Sequence, residues 1–196
     1  MEKKSHSQKD NLFSKLEEEI FFNEDICFEE LKIRRFIIGK IKQKIENSES
    51  KGFEFEDVVY DFFKYMNISL IKTPKTRDKG LDGFVTFEVG FLGEVKMGLQ
   101  IKYKLVDSPD VDSFLTALRN VELQLGVIVC KDARNLNNYE LNSKIKSILF
   151  SRGISIKEKL LNEKVDINPV FILKLDELVE IVSSQIRAFV KSIYKK

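Results

Sequence analysis

Two neighbouring strand-like segments limit the fold of this chain more than any other feature. Residues 84–91 and 95–103 are rich in β-branched, aromatic and other apolar residues, and Leu92-Gly93 lies between them. This pattern predicts two antiparallel strands joined by a tight turn. Further along, Val127 to Cys130 is a continuous apolar run, typical of a strand buried on both faces. A hairpin followed by alternating helices and strands predicts an α/β fold with a mixed β-sheet flanked by helices.

Apolar periodicity predicts the other elements and a division of the chain. Residues 1–50 carry apolar residues at helical spacing and are predicted to form an N-terminal helical extension. The main domain is predicted at 51–196. Its expected elements are a helix at 53–66, strands at 68–71, 84–91 and 95–103, a helix at 111–123 capped by Asp110 or Asp112, a strand at 127–130, a helix at 139–150, strands at 154–156 and 170–173, and a helix at 175–194. No run reaches the roughly 18 apolar residues of a membrane span, so no membrane segment is expected.

The single histidine, His6, excludes several kinds of catalysis. Ser-His-Asp and Cys-His nucleophile systems lack their base, and HExxH metal sites cannot form. The chain contains neither GxxxxGK[ST] nor GxGxxG, so no nucleotide cofactor is expected. Cys27 and Cys130 form no CxxC pair, which indicates a reduced, cytoplasmic setting. Any catalysis must therefore use carboxylates and lysines, with or without a bound divalent cation.

Polar side chains alternate along the second strand of the hairpin. Gln100, Lys102 and Lys104 fall on one face, although an ordinary half-exposed strand would show the same pattern. Pairing Asp82 with Lys102 makes the paired residue numbers add to 184 and centres the turn at 92, beside Gly93. This register predicts that a carboxylate, an amide and an ammonium converge at one edge of the sheet.

These side chains suit the metal-assisted hydrolysis of a phosphodiester bond. Mg²⁺ prefers hard oxygen ligands, which the Asp82 carboxylate, the Gln100 amide and the Ile101 backbone carbonyl can supply. Such a cation polarises a phosphate and makes a water molecule more acidic. Lys102 is predicted to orient or help deprotonate that water and to offset transition-state charge. Glu56, on the preceding helix, is the candidate for a second carboxylate.

An alternative register uses Glu94-Val95-Lys96 as the acid-x-lysine element. Pairing Asp82 with Lys96 centres the turn at Val89. A β-branched residue is disfavoured in a turn. The register centred at 92 is therefore preferred, and the alternative ranks second.

Three short motifs follow one another along the chain. They consist of Gly52 and Phe55-Glu56, of Asp78, Gly80, Leu81 and Asp82, and of Leu99, Gln100 and Lys102. In this order they resemble the Mrr-type restriction endonucleases, a branch of the PD-(D/E)xK nuclease superfamily. The family pattern is a helix beginning Gly-x-x-Phe-Glu, then Asp-x-Gly-hydrophobic-Asp, then hydrophobic-Gln-x-Lys. The resemblance extends from about Gly52 to Gly153.

The resemblance implies a restriction-endonuclease-like core, Mg²⁺-dependent cleavage of DNA with Mn²⁺ able to substitute, and a homodimer. Restriction of, or defence against, foreign DNA is the expected role. Gln100 stands where most of the superfamily has Glu, which weakens the charge of the metal site. Two other functions stay open: a catalytically inactive DNA-binding or assembly module of the same fold, and a junction-resolving or repair nuclease.

Basic residues cluster around the motifs and predict contacts with DNA phosphates. The predicted DNA-binding residues are Lys75, Arg77, Lys79 and Lys104. A solvated, lysine-rich surface would show the same pattern.

Overall fold

The computed structural model of the chain describes residues 11–27, 29–73, 80–89, 93–123, 125–134 and 170–194, with the backbone alone at 87–89 and 93–95. The helices are α1 Leu12–Phe21, α2 Glu30–Glu46, α3 Lys51–Tyr65, α4 Ser108–Asn120 and α5 Leu175–Tyr194. The strands are β1 Ser69–Lys72, β2 Gly83–Val89, β3 Gly93–Val106, β4 Gly126–Ala133 and β5 Val170–Lys174. The helix and strand expected at 139–150 and 154–156 lie outside the described residues. The other predicted elements are confirmed, with bounds that differ by a few residues.

The five strands form one mixed sheet in the order β1-β2-β3-β4-β5. The β1–β2 and β2–β3 pairs are antiparallel. The β3–β4 and β4–β5 pairs are parallel. A hairpin therefore continues into a parallel half, which confirms the predicted mixed sheet and α/β class.

The hairpin register differs from the predicted one by two residues. Gly83 pairs with Leu99, and the paired numbers add to 182 rather than 184. Asp82 precedes β2 by one residue, so the register places it opposite Gln100 and not opposite Lys102. The predicted pairing is therefore wrong by two residues along β3. The prediction of which side chains share a face of the sheet is unaffected, because a shift of two in the sum leaves every side chain on the same side.

Helix α4 packs against the sheet at a pair of glycines. Gly98 of β3 pairs with Gly126 of β4. A Cβ at Gly98 would lie 2.4 Å from Leu118 Cδ2, and one at Gly126 would lie 2.6 Å from the Phe114 ring. The absence of side chains at both positions thus allows the close approach of α4. The core formed there consists of Leu81, Val106, Val111, Phe114, Ala117, Leu118, Ile128, Cys130, Val170 and Ile172.

The chain divides into two compact units. The first contains residues 1–65 and 176–196, with α1, α2, α3 and nearly all of α5, and the second contains residues 66–175, with the sheet and α4. In the first unit, the Phe13 and Phe62 rings meet edge to face at 6.2 Å, and Arg187 forms an ion pair with Glu30. The buried stripe of α2 is Ile33, Ile37, Ile41 and Ile45.

These units do not divide the chain at residue 50, since α3 belongs with α1 and α2. The division into an extension at 1–50 and a domain at 51–196 concerns independent folding and stays a prediction. None of the helices in the described part of the chain has both the length and the apolar character needed to cross a bilayer.

Candidate active site

The Asp82 carboxylate is anchored on β3. Its Oδ2 accepts a 2.6 Å hydrogen bond from the backbone N–H of Ile101. Its backbone N–H donates to the Leu99 carbonyl at 2.9 Å, and its carbonyl accepts from the Thr73 N–H at 3.1 Å. Asp82 is therefore fixed between β3 and the end of β1, with its carboxylate next to the Gln100 position.

The Gln100 side chain has a defined orientation. Its Nε2 donates to the Gly80 carbonyl at 2.9 Å. A carbonyl can only accept, so the amide nitrogen faces Gly80 and Oε1 faces elsewhere. Gly80 has φ +86°, which favours glycine, and a Cβ there would lie 3.2 Å from the Ala117 Cβ. The motif glycine is thus required by the backbone conformation that presents this acceptor.

The Gln100 Oε1 is a buried acceptor to which no described residue donates. Leaving such an oxygen unpaired costs about 1–3 kcal/mol. Asp82, opposite Gln100 in the hairpin register, supplies a carboxylate, and oxygen donors of these kinds suit a hard divalent cation. Among the described residues no group of three His, Cys, Asp or Glu side chains could hold a metal ion. The residues present therefore fit a cation held by one carboxylate, one amide oxygen and a backbone carbonyl such as that of Ile101.

Lys102 lies next to the start of α4. Its Nζ is 2.8 Å from Asp110 Oδ1. Further along, α4 contacts β3 where Leu118 covers Gly98. The helix advances about 12 Å from Asp110 to Leu118, and the strand spans about 13 Å from Lys102 to Gly98. The helix and the strand thus run antiparallel and cover similar lengths between the two contacts. The position of α4 therefore determines where the Lys102 ammonium is held.

The two carboxylate oxygens of Asp110 have different partners. Oδ1 contacts the ammonium groups of Lys102 and Lys104, both at 2.8 Å. Oδ2 accepts from the backbone N–H of Asp107 at 3.4 Å, and Asp107 Oδ1 accepts from the Asp110 N–H, which completes a capping box. Burial raises the pKa of Asp110, but the hydrogen bonds from Lys102 and Lys104, the charge of Lys102 and the hydrogen bond from the Asp107 backbone outweigh it and lower the pKa to about 2. Asp110 is therefore an ionised carboxylate with only 10% of its side chain exposed.

The strand is irregular between the two lysines. The register of β3 against β4 shifts between Lys102 and Leu105, where β3 carries one extra residue. The Lys102 side chain is 22% exposed and the Lys104 side chain 56%. The hydrogen bond to Asp110 raises the pKa of Lys104. Lys104, predicted as a DNA contact, is thus exposed and at the same time part of an ion pair.

Asp110 is the residue of this site that the sequence analysis did not assign to it. The predicted cap of α4 was Asp110 or Asp112, but the N-cap is Asp107, because α4 begins at Ser108 and not near 111. The signal for a capping box was present as an Asp-x-x-Asp spacing before an apolar helix. The contact with Lys102 had no such signal.

The other four predicted site residues stay predictions. Lys75, Arg77 and Lys79 lie outside the described residues, so their DNA contacts stay predictions. Glu56 lies on α3, in the helical unit. Its role as a second carboxylate likewise stays a prediction.

The alternative register is not found. Lys96 pairs with Thr86 instead of Asp82, and its Nζ lies 4.2 Å from the centroid of the Phe84 ring. Along β3, Lys96 lies four residues from Gln100, or about 13 Å. Lys96 is therefore remote from the Asp82 carboxylate.

A mixed sheet with this motif order defines an α/β fold of the restriction-endonuclease-like class. The family model described as "Restriction endonuclease", the Mrr catalytic type, matches residues 48–156, more than half of the chain. The chain belongs to this Mrr-type restriction endonuclease family, which confirms the resemblance carried by the three motifs. Comparison with curated proteins and with solved structures gives no match.

Proposed function

We propose that this protein is a Mg²⁺-dependent endonuclease that hydrolyses phosphodiester bonds in DNA, with Mn²⁺ able to substitute. The observation that carries the proposal is the buried Gln100 Oε1, which no described residue satisfies, on the residue that the hairpin register places opposite the anchored Asp82. Asp82, Gln100 and the Ile101 carbonyl would hold the cation. When bound, the cation would supply a Lewis acid at the phosphate and a more acidic water.

The chain's own residues act on position and charge. Ile101 donates its N–H to Asp82 and so orients the carboxylate, while Gly80 orients the Gln100 amide. Lys102 would offset the negative charge that develops on the phosphate in the transition state. The presence of both Asp82 and Lys102 favours cleavage over a noncatalytic module of the same fold.

The biological setting is part of the proposal. We infer restriction of, or defence against, foreign DNA in the cytoplasm, by a homodimer, from membership of the restriction endonuclease family. Contacts with DNA phosphates would come from Lys75, Arg77, Lys79 and Lys104. Both cysteines are free thiols in the structure, which is compatible with a reducing compartment.

Cleavage of defined DNA substrates tests the proposal. Plasmid and branched DNA, methylated and unmethylated, are incubated with the protein and Mg²⁺, Mn²⁺ or a chelator. Cleavage is expected with either metal and not with the chelator. Asp82→Ala is expected to lower the rate at least about 100-fold, since the cation loses its charged ligand. Lys102→Ala is expected to abolish cleavage while DNA affinity stays within about threefold, since phosphate contacts are several.

Lys96→Ala is the matched control on the same strand and should cleave like the parent. If Lys96→Ala is inactive while Gln100→Ala cleaves normally, the site has been placed at the wrong end of β3. If Asp82→Ala cleaves as well as the parent, the proposed site does not exist. Preference for branched over plasmid DNA would indicate the junction-resolving role in place of restriction.

A further inference from the structure

Two ammonium groups share one carboxylate oxygen beside the proposed active site. Lys102 and Lys104 both lie 2.8 Å from Asp110 Oδ1. One carboxylate needs one counter-ion, so Asp110 holds one ammonium more than its own charge requires, and the nearby Asp107 carboxylate also attracts Lys104. The arrangement is asymmetric, since Lys102 is mostly buried and Lys104 is mostly exposed.

Lys104 lowers the cost of moving the Lys102 ammonium away from Asp110. Removing the only partner of a buried carboxylate is strongly unfavourable, because an uncompensated charge stays behind. Here Lys104 remains on Asp110 when Lys102 moves away. The four-carbon stem of lysine is flexible, so the Lys102 ammonium can move without a change in the strand.

The carboxylate itself is held independently of both lysines. Asp110 Oδ2 accepts from the backbone of Asp107 within the capping box of α4. This contact does not use Oδ1, so it persists whichever lysine is bound. Asp110 therefore keeps its position when the Lys102 ammonium leaves, and the ammonium can bind there again.

We propose that Asp110 is a positioning residue that holds Lys102 ready beside the scissile phosphate, and that Lys104 is the replacement counter-ion that frees Lys102 to contact that phosphate. The proposal rests on the nuclease function and deepens it. Lys104 then contributes to cleavage through Asp110, and not merely as one more contact with the DNA backbone.

A double-mutant cycle on cleavage tests the role of Lys104. Single-turnover rates at saturating DNA are measured for the parent, Lys104→Ala, Asp110→Asn and the double variant. Lys104→Ala is expected to slow the parent roughly tenfold, since Asp110 then retains Lys102, and to change the Asp110→Asn protein by less than about twofold. An equal loss in both backgrounds would mean that Lys104 acts only as a DNA contact, and the replacement role would be overturned.

Two further variants separate positioning from helix capping. Asparagine at 110 keeps an acceptor for the capping box but removes the charge. Asp110→Glu keeps both and should retain the parent rate within about threefold. Asp112→Asn removes the same charge from an exposed site on α4 and should cleave like the parent. If Asp110→Asn also cleaves like the parent, Asp110 has no positioning role.

Chemical labelling without DNA tests the positioning role of Asp110 separately from the proposed nuclease function. The protein is treated with an amine-acetylating reagent and the modified peptides are quantified by mass spectrometry. Lys102 is expected to react roughly threefold or more faster in Asp110→Asn than in the parent, because an ammonium in a charge-assisted hydrogen bond must first leave it. Asp112→Asn should show no change. An unchanged Lys102 in Asp110→Asn overturns the positioning role even if the parent cleaves DNA. If the labelling is as expected but the parent cleaves no DNA, the role of Asp110 in holding Lys102 is supported and the proposed nuclease function is refuted.

Discussion

Replacing Gln100 by glutamate tests the geometry and the cation site together. In the parent, Nε2 donates to the Gly80 carbonyl at 2.9 Å. A glutamate has only oxygens at this position, so two acceptors would face each other and a second negative charge would lie beside Asp82. Without a cation, both effects destabilise the folded state. With a cation, the added charge strengthens binding.

The magnitudes follow from these contacts. The lost hydrogen bond contributes about 1 kcal/mol, and the second carboxylate adds about another 1 kcal/mol after solvent screening. For a chain of 196 residues, the sum lowers the melting temperature by roughly 4–8 °C. The parent binds the cation too, so only tighter binding by the variant can offset this loss, and a roughly 30-fold lower dissociation constant would return about 2 kcal/mol. Gln100→Glu should therefore be clearly less stable than the parent in a chelator, and this difference should shrink in saturating Mg²⁺.

Thermal unfolding with a chelator and with millimolar Mg²⁺ measures both differences. Gln43→Glu is the matched control, because Gln43 is exposed on α2 and the change should stay within about 0.5 kcal/mol in both conditions. If Gln100→Glu is as stable as the parent in the chelator, the contact with Gly80 does not form. If Mg²⁺ stabilises Gln100→Glu no more than the parent, this is not a cation site.

Two further predictions concern stability. Gly80→Ala should lower the free energy of unfolding by about 1–2 kcal/mol, because alanine is strained at φ +86°. Gly39→Ala on α2, with open space around it, should raise the free energy of unfolding by about 0.5–1 kcal/mol. If chemical denaturation shows the same change for both variants, the conformation of Gly80 is contradicted. The pKa of Asp110 is lowered to about 2 by Lys102 and Lys104 despite burial, so its contribution of about 2 kcal/mol is present above pH 5 and is lost as the pH falls towards 2. The stability difference between the parent and Asp110→Asn should shrink by roughly 1 kcal/mol from pH 5 to pH 3; a difference independent of pH would refute this.

The strands and helices could be predicted because burial acts on each element separately. Alternation along β3 and the apolar stripe of α4 are local patterns, and both are found. The hairpin register could not be fixed to better than two residues. Sums of 182 and 184 place the same side chains on the same face. Only the turn distinguishes them, and a glycine close to it is compatible with either.

The partners of the site residues depend on contacts that no local pattern reports. Asp110 reaches Lys102 because α4 lies directly over β3, which depends on the packing of Leu118 on Gly98. The orientation of Gln100 depends on a carbonyl twenty residues earlier. Motif spacing thus identified Asp82, Gln100 and Lys102 as candidates, but it could not identify Asp110.

The glycine pair beneath α4 links the packing of this helix to the end of β3 that carries Lys102. Gly98 lies about 13 Å along β3 from Lys102, and Gly126 is on the neighbouring strand. A methyl group at either position would push on Leu118 or Phe114 and lift one end of a rigid helix whose other end carries Asp110. Variants at these glycines would then change turnover while every candidate catalytic side chain remains present. A search for activity-altering substitutions that is confined to the candidate metal ligands would miss them.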